Sequence, residues 1–292
     1  MANLRLLYLC DLYMNQNSII KDVEQALDED LNGLGPIDGD ITAALISNDV
    51  MVKASILTRE DCTICGIQWA TETFRQVNPE IKVNWLVADG DLCKANQIFC
   101  ELAGSARSIL TAERTALNFL QTLSGTATTA NAYVDLLAGS GITLLDTRKT
   151  IPGMRLAQKY AVKCGGAENH RIGLFDAFLI KENHILACGS IANAVKQARQ
   201  NMPQAKVEVE VESLEELQQA IDARADIVML DNFDHEMLSQ AVLINQKTVK
   251  LEVSGNITEE KLHNLRGIGI DFVSSGALTK DVKSIDLSLR IN

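Results

Sequence analysis

From Ile142 onward, short apolar runs alternate with amphipathic stretches, and this rhythm restricts the possible folds more than any other feature. The runs are ITLL (142–145), AFLI (177–180), VEVEV (207–211), DIVML (226–230), VKLEV (249–253) and DFVSS (271–275). Each is too short for a helix and has the length of a strand. SIANAVKQARQ, SLEELQQAIDA, DHEMLSQAVLIN and TEEKLHNLRGI, which lie between them, carry helical spacing. Strand–helix–strand units with crossovers this short predict a parallel sheet. Six strands in succession, the last four starting at 207, 226, 249 and 271, favour a β/α barrel over an open sheet.

The N-terminal third is mixed. SIIKDVEQALDED (Ser18–Asp30) and CGIQWATETFRQV have helical spacing, whereas VMVKASILT (Val50–Thr58) and IKVNWLVADG (Ile81–Gly90) read as strands. GPIDGDITAALI reads as a turn leading into an extended run, so the pattern is α+β. SILTAERTALNFLQTLSGTATTANAYVDLLAGSG reads as a long helix with Thr111 as N-cap. That cap puts Arg114 in the first turn, where the helix dipole disfavours a cation. Ser124–Ala127 is expected to permit close helix packing. SIDLSLRI (Ser284–Ile291) alternates apolar and polar residues, as a half-buried strand does, and is expected to pair back into the N-terminal sheet.

The chain carries a net charge of −11, which argues against a nucleic-acid partner. Against that background Arg148, Lys149, Arg155, Lys159, Lys163 and Arg171 gather in one window whose only acid is Glu168. Such a local reversal of sign points to a place that holds an anion. Lys159 and Lys163, four apart, read as field and solvation. No run reaches the ~18 apolar residues of a membrane span. MANLRLLYLCDLYM is broken by Arg5 and Asp11, so no signal peptide is expected. Seven scattered cysteines fit reduced thiols and a cytoplasmic location. Cys62 and Cys65 form a C-x-x-C that Cys93 and Cys100 do not complete, and they read as buried small hydrophobes.

The residues that end the barrel strands are polar. They are Asp146, Thr147, Arg148 and Lys149; Lys181, Glu182 and Asn183; Asp231 and Asn232; Ser254, Gly255 and Asn256; and Ser274, Ser275 and Gly276. In VEVEV the glutamates Glu208, Glu210 and Glu212 share one face. β/α barrels build their active sites on this rim. The SGNIT and SSGALT loops pair glycine with small hydroxyls ahead of helix N-termini, which suits phosphate. Glu210 and Asp231, on neighbouring strands, suit Mg²⁺ beside a polyphosphate. Glu210 could equally pair with Lys181 or Arg171. Lys181 at a strand end also fits a Schiff-base lyase.

AERTALNFLQTLSGTAT, the block from LLDTRKTIPG to IKENH, VEVEVE, MLDN, EVSGNIT and SSGALTK together resemble the quinolinate phosphoribosyltransferases, the carboxylating nicotinate-nucleotide pyrophosphorylases of NAD biosynthesis. The resemblance implies an N-terminal α/β sandwich domain at 1–113, rejoined by a strand at 280–292. It implies a TIM-like barrel of the type II phosphoribosyltransferases at 114–279. It also implies transfer of phosphoribosyl from phosphoribosyl pyrophosphate to quinolinate with loss of CO₂, with Mg²⁺, in a homodimer or a hexamer. Quinolinate contacts then fall on Arg148, His170 and Arg171, with Arg114 reaching in from the partner subunit. Lys149, Lys181, Glu210 and Asp231 take the catalytic positions, and Glu210 and Asp231 the metal. Thr147, Ser254, Gly255, Asn256, Ser274, Ser275 and Gly276 line the substrate site. A molybdenum-transport-associated homologue, or a phosphoribosyltransferase for a related anionic base, shares much of the pattern.

Overall fold

The computed structural model describes residues 16–47 and 49–292, so the MANLRLLYLCDLYM segment lies outside the described residues. The chain divides into two compact units. One takes the residues up to Asn131 together with Ile151–Gly166 and Asp281–Asn292, and the other takes Ala132–Thr150 and Ala167–Lys280. The boundary expected at 113/114 falls inside a helix that runs unbroken from Ala106 to Leu136.

The first unit holds β1 (Met51–Thr58), β2 (Cys62–Thr63), β3 (Lys82–Trp85), β4 (Leu92–Cys93) and β5 (Ile98–Ser105). β1, β3 and β5 form an antiparallel sheet with the final strand of the chain, Leu287–Ile291, in the order final–β1–β5–β3. SIDLSLRI thus pairs as its alternation predicts. IKVNWLVADG pairs only over its first half. GPIDGDITAALI is not extended. Gly35–Asp38 makes one helical turn and Ala43–Leu45 a 3₁₀ turn, because the Asp40 carboxylate accepts from the Thr42 and Ala43 amides at 3.0 and 2.8 Å. Helices Gln16–Leu31 and Ile67–Val77 form where their spacing predicts them. Ile56, Phe74, Phe99, Ile109 and Leu120 fill one core. Trp69, Val23, Phe119 and Ala161 fill a second. Cys62 lies in the first and Cys65 in the second, both as buried free thiols.

The long helix starts at Ala106, directly after β5, so Thr111 is not its N-cap. The Thr111 hydroxyl instead bonds to the Arg107 carbonyl at 3.0 Å and the Asp40 carboxylate at 2.9 Å. Arg114 therefore lies in the third turn, out of reach of the dipole effect. Within Ser124–Ala127 both a helix end and the returning chain come close: a Cβ on Gly165, which caps helix Arg155–Cys164, would strike the Ala127 carbonyl. A Cβ on Gly125 would run into the Lys283 carbonyl and approach the Ser284 Cα.

The second unit is a parallel sheet of β6 (Thr143–Leu145), β7 (Ala177–Ile180), β8 (Lys206–Val211), β9 (Ile227–Asp231), β10 (Lys250–Ser254) and β11 (Phe272–Ser274). Their order is β6–β11–β10–β9–β8–β7. The last strand of the run pairs with the first, which is the closure of a barrel, and the ring opens between β6 and β7. A parallel bridge from Leu145 to Glu168 lies on β6 at that gap. Helices return between the strands, capped by the side chains of Ser190, Ser213, Asp234 and Thr258. Along β8 the valines are buried, whereas the glutamate face opens step by step. Glu208 is buried, Glu210 half-buried and Glu212 exposed, so the C-terminal rim is the wet end. Among the described residues no helix is long and apolar enough to cross a membrane.

Candidate active site

Beyond the end of β6, Asp146 is wholly buried and organises its surroundings. Its carboxylate accepts from the His170 amide at 2.9 Å and from the Asn169 side chain at 2.7 Å. These bonds tie the 169–170 loop to the strand end. The Asp176 carboxylate accepts from the Ile172 and Gly173 amides at 2.7 and 3.0 Å, which holds the loop beyond Arg171. His170 Nε2 then lies 2.8 Å from Glu208 Oε2 and 3.6 Å from Glu252 Oε2.

Arg171 is half-buried beside Arg148. Burial and then the Arg148 charge push its pKa down, while Glu208, Asp176 and Glu210 oppose that shift. Arg148 is half-buried too, and its Nε finds no hydrogen-bond partner. Two adjacent guanidinium groups, one with an unsatisfied buried donor, make a ready seat for a carboxylate. Below them Glu208 is pushed up to about 7, first by burial. Glu252 is pushed up to about 8 by burial and then by the negative charge of Glu208. Two carboxylates this close and this dry cannot both ionise cheaply.

Lys181, following β7, stands opposite Glu210 and pairs with it through Oε2. The spacing allowed this salt bridge as an interior one, but it lies at the rim with the Lys181 side chain 41% exposed. Asp231 ends β9 and accepts from the Asn232 amide group at 2.8 Å. Lys149 is exposed, and its side chain lies against Gly276. Its amide donates to the Thr147 hydroxyl at 3.0 Å, and its carbonyl accepts from the Thr279 hydroxyl at 2.7 Å. Ser274 and Ser275 are buried, and the Ser275 amide donates to the Leu145 carbonyl at 3.0 Å.

At the ends of β9 and β10, Asn232, Gly255 and Asn256 all take left-handed backbone conformations. A Cβ on Gly255 would strike the Asn232 side chain, so only glycine fits where these loops cross. Lys261 donates to the Gly255 carbonyl at 2.8 Å. The loops border a cavity of about 450 Å³ lined by Asn232, Gly255, Asn256, Thr258, Lys261 and Asn264.

Arg114 belongs to the first unit, where it is exposed in a cavity of about 310 Å³ with Glu29, Asp30 and Asn118. Arg155, Lys159 and Lys163 lie on helix Arg155–Cys164 of the same unit. The reading of Lys159 as a solvated charge is wrong. It is fully buried, on a helix whose Ala157, Ala161 and Val162 are also buried. Sequence reasoning placed Asp146 and Glu208 on the rim without giving them a role, and passed over Glu252 and Lys261. The available signal for the two glutamates was a charge set inside an otherwise apolar strand run.

The sequence profile of the quinolinate phosphoribosyl transferase C-terminal domain matches residues 126–290, and that of the N-terminal domain matches residues 40–124. A chloroplastic nicotinate-nucleotide pyrophosphorylase (carboxylating) of Arabidopsis thaliana is 40% identical over 274 residues, covering 87% of this chain and 78% of that protein. The structure of a nicotinate-nucleotide pyrophosphorylase from Francisella tularensis superposes with a TM-score of 0.92 at 50% identity, covering 96% of this chain and 98% of the other. NadC from Streptococcus pyogenes gives 0.90 at 39% identity, covering 96% and 99%.

Proposed function

Because the chain belongs to the quinolinate phosphoribosyltransferase family, we propose that it transfers the phosphoribosyl group of phosphoribosyl pyrophosphate to quinolinate. The products are nicotinate mononucleotide, CO₂ and pyrophosphate, as de novo NAD biosynthesis requires. The observation that carries the residue assignment is the gathering of Arg148, Arg171 and His170 above buried carboxylates. Quinolinate presents two adjacent carboxylates to them, and guanidinium forks grip carboxylates bidentately. A monocarboxylate would leave part of this cationic set unmatched.

Rate acceleration then comes from positioning and charge. Lys149 and Lys181 neutralise the departing diphosphate as the bond to ribose C1 loosens. The Glu210 carboxylate, already steadied by Lys181, and Asp231 stabilise the positive charge that builds on the ribose. The pyridine nitrogen attacks C1, the bond from C2 to its carboxylate breaks as CO₂ leaves with the electron pair held on C2 beside the pyridinium nitrogen, and C2 then takes a proton from water. Ser254, Gly255, Asn256, Thr147, Ser274, Ser275 and Gly276 serve the phosphates and ribose. Glu210 and Asp231 are the residues that would hold Mg²⁺. They end neighbouring strands, each has one carboxylate oxygen engaged, and an all-oxygen donor set suits this ion. When bound, it spreads the negative charge of the diphosphate.

A second copy of the chain completes the reading. Arg114 is exposed, and Leu34, Ile37, Ile41 and Leu45 leave apolar side chains in the open. We take these as the makings of a homodimer in which Arg114 serves the neighbouring site. The six described cysteines are free, which suits a cytoplasmic enzyme.

The deciding assay supplies phosphoribosyl pyrophosphate and Mg²⁺ with quinolinate, nicotinate or nicotinamide. Turnover is expected with quinolinate alone. Arg148→Ala or Arg171→Ala is expected to lower kcat/KM by about 100-fold or more, the scale of losing a buried charge pair. Equal turnover with nicotinate would defeat the dicarboxylate assignment.

A further inference from the structure

Beneath the rim, the second unit carries two carboxylates to which the transfer reaction gives no part. Glu208 on β8 and Glu252 on β10 are 4% and 0% exposed. Their strand neighbours Val207, Val209, Leu251 and Val253 are all buried and apolar. Interiors of β/α barrels are ordinarily filled by branched apolar side chains. A buried carboxylate without a partner is costly. Glu208 Oε1, both oxygens of Glu252 and the Ser274 hydroxyl complete no well-formed hydrogen bond, although Glu252 lies close enough to Ser274 and Glu208 to feel both. Stability alone would put valine or leucine at both positions.

One group answers to both acids. His170 Nε2 is within hydrogen-bond distance of Glu208 at 2.8 Å and within charge reach of Glu252 at 3.6 Å. The backbone of His170 is held by Asp146. The residue is thus fixed at two points, its main chain by one buried acid and its ring by another. Arg171 feels Glu208 and stands beside Arg148, so Glu208 serves the guanidinium groups as well as the ring.

We propose that Glu208 and Glu252 are positioning residues for the pyridine dicarboxylate, holding the His170 imidazole, and the guanidinium groups beside it, in the geometry that receives quinolinate. They do not touch the ligand. Glu208 sets the rotation of the ring through Nε2, and Glu252, 3.6 Å from the same nitrogen, backs that position. The inference rests on the reading of His170 as a quinolinate contact.

Glu208→Gln and Glu252→Gln keep shape and replace the carboxyl that faces the ring by an amide. Steady-state kinetics in both substrates, calorimetric binding of phosphoribosyl pyrophosphate and the ¹⁵N shifts of the His170 ring test the proposal. The quinolinate KM is expected to rise about 10-fold or more, with phosphoribosyl pyrophosphate affinity within twofold and the ring shifts moved. A purely structural role would disturb both substrates alike and leave the ring signature in place, which would overturn the proposal. Should Glu208→Gln not fold, Glu252→Gln gives the same readout, since its side chain lies 3.6 Å from the same ring nitrogen. A wild-type enzyme that ignores quinolinate would sink the proposed function. One that uses it, while both variants keep its KM, would sink only this inference.

Discussion

At Glu252, burial sets stability against charge. The carboxyl is pushed up to about 8 from an ordinary 4.5, by burial and then by Glu208. Below the unfolded value both states hold the proton, and ionisation costs nothing. Between about 4.5 and 8 the unfolded chain releases a proton that the folded chain keeps, so stability falls as pH rises through this window. Glu208, pushed to about 7, acts in the same direction. Glutamine never ionises. Glu252→Gln is therefore expected to match the parent in Tm at pH 5 and to exceed it by several degrees at pH 8.5, measured by scanning calorimetry. An equal difference at both pH values would contradict the account. A variant both sturdier and poorer at holding quinolinate would have the signature of a residue kept for function. Little of this was legible in the chain. Glu208 was visible in the alternation of VEVEV, but its partner lies 44 residues further on, and only the parallel strand order brings the two together.

Among whole elements, strands were easier to read than helix starts, for a physical reason. A buried parallel strand announces itself as a short apolar run, and all six runs from Ile142 onward became strands. The start of a helix depends on a single residue, and several competed. Thr111 has the chemistry of a cap, but Ser105 immediately precedes the helix, and its hydroxyl accepts from the Ser108 amide at 3.5 Å. Thr111 turned its hydroxyl to the preceding turn and to Asp40 instead. The same helix carries a test of element packing. Gly125 stands where a side chain would meet the Lys283 carbonyl, a backbone atom that cannot swing aside. Gly125→Ala gains helix propensity, ~1 kcal/mol. Overpacking costs about 1–3 kcal/mol, more against backbone. The net is expected to be a loss of about 1–2 kcal/mol, read as a lower urea midpoint at unchanged slope. An unchanged or higher midpoint would show that the 283–284 chain yields freely.

On the scale of the molecule, the path of the chain matters more than any contact. The first unit is assembled from three separated stretches, and the last of them is the C-terminal end of the chain. SIDLSLRI revealed this by alternating Ile and Leu with polar residues, because it covers one face of an antiparallel sheet. The insertion of Ile151–Gly166 into the first unit left no comparable mark, since an amphipathic helix looks the same whichever core it faces. The return has a consequence for folding. Until the final strand arrives, β1 is paired on one side only, with β5. An unpaired strand edge is a template for association with other chains. Leu287 and Leu289 also pack on the core of this unit. Their half-burial is worth about 2 kcal/mol in total at ~25 cal/mol per Å². A chain ending at Asp286 is therefore expected to lose about 4–8 °C in Tm. It is also expected to aggregate on refolding in proportion to its concentration, which light scattering would follow. Lys at 287 and 289 in the full-length chain separates the two effects. It should lower Tm by removing the apolar contact, yet charged edge residues should suppress the association. Concentration-independent refolding of the truncated chain would mean that β1 finds another cover, and the final strand would then be an ornament of the sheet rather than the piece that closes it.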